Sequence, residues 1–209
     1  MRYAIPSALM ELDDVQEIYS RYAPDYDREL RDDFRYSAHL DMARLVLDAV
    51  QVAKPTILDL GCGTGLSSHL FLQRGWRVTG IEATRAMITQ ARKLPFTKII
   101  QQDLESPWRV ADRSFDAIVM VGVMEYLTRP AAVFRQASRK LVKGGLMGVT
   151  VPYRNKAYTD VGLKSYYKRD VAPMVSAAGL TVESTRKAVA FEDARTKIQY
   201  VHYLLRNPE

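Results

Sequence analysis

Apolar residues recur at Leu40, Ala43, Leu45, Val46, Leu47 and Val50, the spacing of one helix face, so the chain up to Ala53 is read as helical. Pro24 breaks the earlier acidic region into two short helices. From Thr56 the pattern changes. Residues 56–60, TILDL, form a short β-branched run ending in a glycine-rich turn, and 66–75 follow as a helix closed by Gly75. Residues 77–82 read as the second strand, 84–94 as a helix and 97–103 as the third strand. Residues 115–123, FDAIVMVGV, read as the fourth strand and are apolar without a break from Ala117, as in a strand buried on both faces. A helix over 130–145, a strand over 146–152 and a helix from the cap Asp170 to Ala178 come next. Two final strands, 180–189 and 197–205, suggest a hairpin. Alternating β and α units predict an α/β fold: a mostly parallel sheet with helices on both faces and an antiparallel C-terminal hairpin. The expected division is a helical cap over 1–53 and a core over 54–209.

Composition narrows the chemistry. Of 209 residues, 47% are apolar and 26% charged, a globular balance. Cys62 is the only cysteine, which excludes an intramolecular disulfide and metal sites built on paired thiolates. The longest apolar run, Ala117 to Met124, falls far short of the roughly 20 residues of a membrane span. The N-terminal residues lack the apolar stretch of a secretory signal, so a soluble, cytoplasmic protein is expected.

The net charge of +6 is uneven. Residues 1–50 hold six Lys/Arg against eleven Asp/Glu, whereas 129–169 hold ten Lys/Arg and one acid, Asp160. The basic stretch suits an anionic substrate, RNA or an acidic partner. Within the helix, Arg135, Arg139, Lys140 and Lys143 fall between the apolar positions and suit a solvated face.

The first strand runs into Asp59-Leu60-Gly61-Cys62-Gly63-Thr64-Gly65, and Glu82 ends the second strand. Glycines let backbone approach a ligand at the carboxyl end of a strand, and a carboxylate there can accept both ribose hydroxyls. Leu66 stands where a dinucleotide fold has its third glycine. Asp59, two before the first glycine, suits an ammonium-bearing cofactor and would repel a pyrophosphate. Cys62 reads as a small apolar filler.

With these residues the chain resembles the class I S-adenosylmethionine-dependent methyltransferases, in particular the small-molecule group that includes the ubiquinone/menaquinone-type enzymes. ILDLGCGTG matches the first motif, GIEATRAMITQAR the second, QQDLESPW the third, SFDAIVMVGVMEYL the fourth and LVKGGLMGVTVP the fifth. IYSRYAPDYDRE resembles the family's lid, through Tyr19, Ala23, Tyr26 and Asp27. The resemblance implies a seven-stranded Rossmann-like sheet under an N-terminal helical lid, S-adenosylmethionine as cofactor and S-adenosylhomocysteine as product. It implies cofactor contacts from Tyr19, Tyr26, Asp59, Gly61, Cys62, Gly63, Gly65, Glu82, Ala83, Met87, Asp103, Leu104 and Val121. Glu82 would hold the ribose, Met87 would lie beside the adenine, and Asp103 and Leu104 would bond it.

Methyl transfer from a sulfonium needs alignment more than acid or base, and no triad stands out. The candidate catalytic residues are Tyr126, Glu125 and His39; many relatives have Glu-His where this chain has Glu125-Tyr126. The Asn/Asp-Pro-Pro-Tyr motif of DNA and protein amino-group methylases is absent, the strand end reading Val121-Gly122-Val123-Met124. Residues 153–169 emerge beside the expected methyl donor, carrying Tyr153, Tyr158, Tyr166 and Tyr167 with Arg154, Lys156, Lys164, Lys168 and Arg169. Tyr153, Arg154 and Tyr166 are the substrate candidates, for a planar or apolar small molecule that can bear an anionic group. No metal and no nucleic acid are expected. The competing readings are an RNA or protein methyltransferase using 129–169, and a non-catalytic cofactor-binding subunit.

Overall fold

A computed structural model describes residues 11–154, 159–160, 162–192 and 197–208. Three helices open the chain: α1 (Leu12–Tyr22), α2 (Tyr26–Asp32) and α3 (Ala38–Ala49). The turn containing Pro24 separates α1 from α2. The alternating part follows as β1 (Thr56–Leu60), α4 (His69–Gln73), β2 (Arg77–Glu82), α5 (Arg85–Ala91), β3 (Lys98–Gln101), β4 (Phe115–Met120), α6 (Pro130–Lys140) and β5 (Leu141–Pro152). Helix α7 (Lys168–Ala177) and the strands β6 (Thr181–Glu192) and β7 (Lys197–Arg206) end it.

The strands form one sheet in the order β3-β2-β1-β4-β5-β7-β6. The β1–β2, β1–β4, β2–β3 and β4–β5 pairs are parallel; β7 runs antiparallel to both β5 and β6. The strand order reverses between β1 and β4, so a crevice opens outside their carboxyl ends. Alternate residues of β1 and β4 feed opposite faces. Ile57, Ala117 and Val119 pack with Met42 and Val46 of α3; Leu58, Ile118 and Met120 pack with Val133, Phe134 and Val171 beneath α6 and α7. Both faces are covered, which explains the unbroken apolar runs.

Several boundaries differ from the sequence pattern, three of them with a clear local cause. Strand β4 ends at Met120 rather than Val123, because Gly122 turns away at φ +68 and its N–H donates to the Thr150 hydroxyl, 2.9 Å. Helix α6 stops at Lys140 rather than Gly145: Leu141 already pairs with Phe115, and the ladder shifts register before resuming at Ala117–Leu146. Asp170 sits inside the first turn of α7, where its carboxylate accepts from the Tyr167 N–H at 2.7 Å, so the helix begins at Lys168.

Gly148 on β5 marks the closest approach of α3. A β-carbon there would lie 2.5 Å from Met42 Sδ and 2.8 Å from Val46 Cγ2, both on buried side chains. Gly148→Ala is expected to destabilise the protein by about 1–3 kcal/mol through overpacking. Urea unfolding should show a lower midpoint at an unchanged slope; an unaltered midpoint would mean that α3 can move away at no cost.

Candidate active site

Glu82 ends β2 and ties two turns together. Its Oε2 accepts the Gly63 N–H at 3.0 Å and its Oε1 the Thr84 N–H at 2.8 Å. The Gly61 and Cys62 N–H groups donate to the Ile81 carbonyl, at 2.8 and 3.1 Å. The turn so held passes through φ +67 at Gly61 and +54 at Gly63, conformations that glycine adopts without strain. Burial raises the Glu82 carboxyl above its usual range, and the amide donors oppose that shift.

Asp59 lies beneath this turn, fully buried. Its Oδ2 accepts the Ser67 and Ser68 hydroxyls, each at 2.6 Å, and its Oδ1 has no partner. These bonds hold residues 66–68 as turns, so α4 starts only at His69. Cys62 is buried against Gly80, and burial pushes its thiol upward, leaving it neutral and unreactive. Gly65 closes against Leu94 and Phe96.

Above the turn lies a cavity of about 370 Å³, within the usual range of roughly 300–1,000 Å³ for small-molecule sites. Gly61, Gly63, Glu82, Ala83, Met87, Asp103, Leu104 and Val121 line it, with Tyr19 and Tyr26 from the N-terminal helices and Tyr126 after β4. Asp59, Cys62 and Gly65 do not; they shape the turn from below. The N-terminal helices are tied down at three points: Gln16 Nε2 donates to the Ala83 carbonyl at 3.2 Å, the Thr64 hydroxyl to Asp27 Oδ1 at 2.6 Å, and the Tyr19 and Tyr126 hydroxyls are 2.7 Å apart.

Sequence reasoning missed several lining residues. Leu12 and Val15 share a face of α1 with Tyr19, and that i, i+3, i+7 spacing was a usable signal. Glu105, Thr128 and Arg129 gave none. Glu105 accepts from the Thr128 hydroxyl and the Arg129 N–H, closing one rim through partners far apart in sequence.

A smaller cavity of about 190 Å³ adjoins the first, sharing Tyr19, Tyr26, Gly122 and Tyr126. Glu125 lines it at 4% exposure. The Tyr200 hydroxyl donates to Glu125 Oε1 at 2.6 Å, Oε2 has no partner, and burial pushes the carboxyl up to about 7.

The remaining candidates sit elsewhere. His39 lines neither cavity; its ring stacks on Tyr36, centroids 5.3 Å apart, and burial lowers its pKa to about 4. Tyr153, Arg154 and Tyr166 also line neither. Tyr153 lies under Lys187 Nζ at 4.6 Å, the Arg154 guanidinium stacks over Tyr167 at 4.9 Å, and the Tyr166 hydroxyl donates to the Met124 carbonyl at 3.1 Å. Other partners already claim these side chains. Lys156 and Tyr158 lie outside the described residues. Among the described residues no cluster of three or more His, Cys, Asp or Glu could hold a metal ion, and no helix is long and apolar enough to cross a membrane.

Comparison with known proteins agrees with this geometry. Residues 58–149 match the model of a methyltransferase domain. The chain is 28% identical over 134 residues to a ubiquinone biosynthesis O-methyltransferase of Stutzerimonas stutzeri, covering 59% of this chain and 56% of that one. It is 33% identical over 144 residues to a trans-aconitate 2-methyltransferase of Azoarcus sp., covering 67% and 50%. The chain thus spans about half the length of these relatives. The solved structure of the cyclase SpnF superposes with a TM-score of 0.78 over 97% of this chain and 99% of that one, at 17% identity, a likeness of fold. Over residues 58–149 the chain is a methyltransferase domain. The segment matched to the methyltransferase domain contains the turn, Glu82 and Asp103. It leaves out the Tyr19–Tyr26 region and Tyr200, so most of the smaller cavity belongs to parts of this methyltransferase that the domain model does not describe.

Asp59 gives a pH signature. Burial raises its carboxyl from 3.8 to about 6, so the folded state holds this proton more tightly than the unfolded chain. That contribution to stability is complete below the unfolded value and is lost as pH rises through the folded one. Relative to Asp59→Asn, the unsubstituted protein should lose about 3 kcal/mol between about pH 4 and pH 7. Urea titrations of both proteins across this range provide the check; parallel profiles would show that Asp59 is charged at no cost.

Proposed function

We propose that this chain transfers the methyl group of S-adenosylmethionine to a small-molecule acceptor by in-line displacement. One observation carries the reading: the glycine turn, Glu82, Met87, Asp103 and Leu104 meet on a single cavity roofed by Tyr19 and Tyr26. The residues present fit the cofactor. Glu82 keeps lone pairs beyond those given to Gly63 and Thr84 and would accept the ribose hydroxyls. Met87 supplies an apolar wall for the adenine, and Asp103 and the Leu104 N–H supply an acceptor and a donor at its edge. Gly61 and Gly63 leave room for the methionine portion. Asp59 serves from below by fixing the turn.

When bound, the cofactor supplies a methyl group already activated by its sulfonium. The protein's task is then to orient the acceptor and exclude water, and positioning alone can contribute roughly 7–11 kcal/mol. In this reading residues 1–53 form a cap whose α1 and α2 act as a lid, and 54–209 form the core. The two named relatives act in ubiquinone biosynthesis and on trans-aconitate, which supports a small-molecule acceptor. An RNA or protein substrate on 129–169 has less support. Arg154 and Arg169 both stack on Tyr167, at 4.9 and 4.6 Å, and Lys164 Nζ donates to the Leu127 carbonyl.

Two measurements test the proposal. In calorimetry, Glu82→Ala should weaken binding of S-adenosylmethionine about tenfold or more, each charge-assisted hydrogen bond being worth about 1.5–3 kcal/mol. Unchanged affinity would remove Glu82 from the site. Amide hydrogen exchange in α1 and α2 should slow when S-adenosylhomocysteine binds, because the lid closes on it; equal exchange with and without the ligand would refute the lid.

A further inference from the structure

The smaller cavity has an unusual balance of charge. Of its thirteen lining residues eight are Tyr or Phe, and the only charged side chain is Glu125. No Lys or Arg lines it among the described residues. Among the described residues the groups facing Glu125 are tyrosines: Tyr200 of β7, Tyr26 of α2, Tyr36 before α3 and Tyr166 before α7. One carboxylate oxygen takes the Tyr200 hydroxyl and the other has no partner.

A buried carboxylate without a counter-charge is costly, and it is relieved either by taking up a proton or by meeting a cation. No described residue provides a cation there. Aromatic walls favour one, because the ring faces are electron-rich. A cavity of 150 Å³ admits a benzene ring, so about 190 Å³ admits one ring and a short side arm.

We infer that this cavity is the acceptor site, that its acceptor is a small primary or secondary amine entering as the ammonium, and that Glu125 is its counter-ion and proton acceptor. The inference rests on the methyltransferase reading for its chemistry but not for its binding. It replaces the expectation of an anionic acceptor held by the cations of 153–169, of which Arg154, Lys164, Lys168 and Arg169 line neither cavity.

The step balances as follows. Glu125 accepts a proton from the ammonium, freeing the nitrogen lone pair. The nitrogen forms a bond to the methyl carbon, the carbon–sulfur bond breaks and its electron pair stays on sulfur, leaving the thioether. The product is a methylated ammonium, and the Glu125 proton passes to solvent when the site opens. A carboxyl pushed up to about 7 suits this exchange near neutral pH. The Tyr19–Tyr126 hydroxyl pair stands where the two cavities share their lining, between donor and acceptor.

The test is a head-group comparison by calorimetry on the intact chain, with and without S-adenosylhomocysteine. Phenethylamine, phenethyl alcohol and hydrocinnamate carry one ring on a short arm and end in an ammonium, a hydroxyl and a carboxylate. The amine should bind at least tenfold more tightly than the alcohol, and the carboxylate most weakly. Glu125→Gln should abolish the preference while S-adenosylhomocysteine affinity stays within about twofold; Glu125→Asp, which keeps the charge, should retain part of it. Equal binding of amine and alcohol, tightest binding of the carboxylate, or no binding of any probe would overturn the inference. The unsubstituted protein decides this even if Glu125→Gln does not fold. Failure to bind S-adenosylhomocysteine would instead refute the methyltransferase reading, while the head-group preference measured without it still decides the amine site.

Discussion

The architecture of the site depends on one carboxylate held by two backbone amides. Glu82 accepts from Gly63 on the turn after β1 and from Thr84 on the turn after β2. The carboxylate bridges the two turns and fixes their separation. The crevice between β1 and β4 exists because the strand order reverses there. It becomes a shaped cavity because Glu82 locks one wall and α1 leans over it, with Gln16 bonded to Ala83 at 3.2 Å.

The acids of this region divide their work by depth. Asp59 is wholly buried and spends its bonds on Ser67 and Ser68, setting where α4 begins. Glu82 lines the larger cavity and keeps spare acceptor capacity. Glu125 lines the smaller one with an oxygen that has no partner among the described residues. A carboxylate thus fixes a turn in one place, lines the larger cavity in a second and lines the smaller cavity in a third.

The alternation of apolar runs made the sheet and both helical layers legible, because a strand buried on two faces has no polar choice to make. The glycine turn and Glu82 were legible because that turn geometry demands glycine and that strand end invites a carboxylate. Boundaries were less so: the pattern of α6 runs on into Leu141, and only its pairing with Phe115 shows that the helix has ended. The proposed acceptor cavity lies elsewhere than the sequence pattern suggested. Tyrosines and cations in 153–169 suggested a pocket, yet Arg154 and Arg169 stack on Tyr167, Tyr153 lies under Lys187, and Lys164 and Tyr166 donate to carbonyls, a matter of tertiary contact. The aromatic cavity draws on Tyr26, Tyr36, Phe191 and Tyr200, which are far apart in the chain. No local pattern could join them.

The central claim is that the cavity above the glycine turn is built for an S-adenosyl cofactor. A crystal structure grown with S-adenosylhomocysteine tests it most directly. The account predicts density in that cavity, with the ribose hydroxyls on Glu82, the adenine between Met87 and the Asp103–Leu104 edge, and the sulfur pointing toward Tyr126. Ligand density at another place, or a ribose with no contact to Glu82, would contradict it.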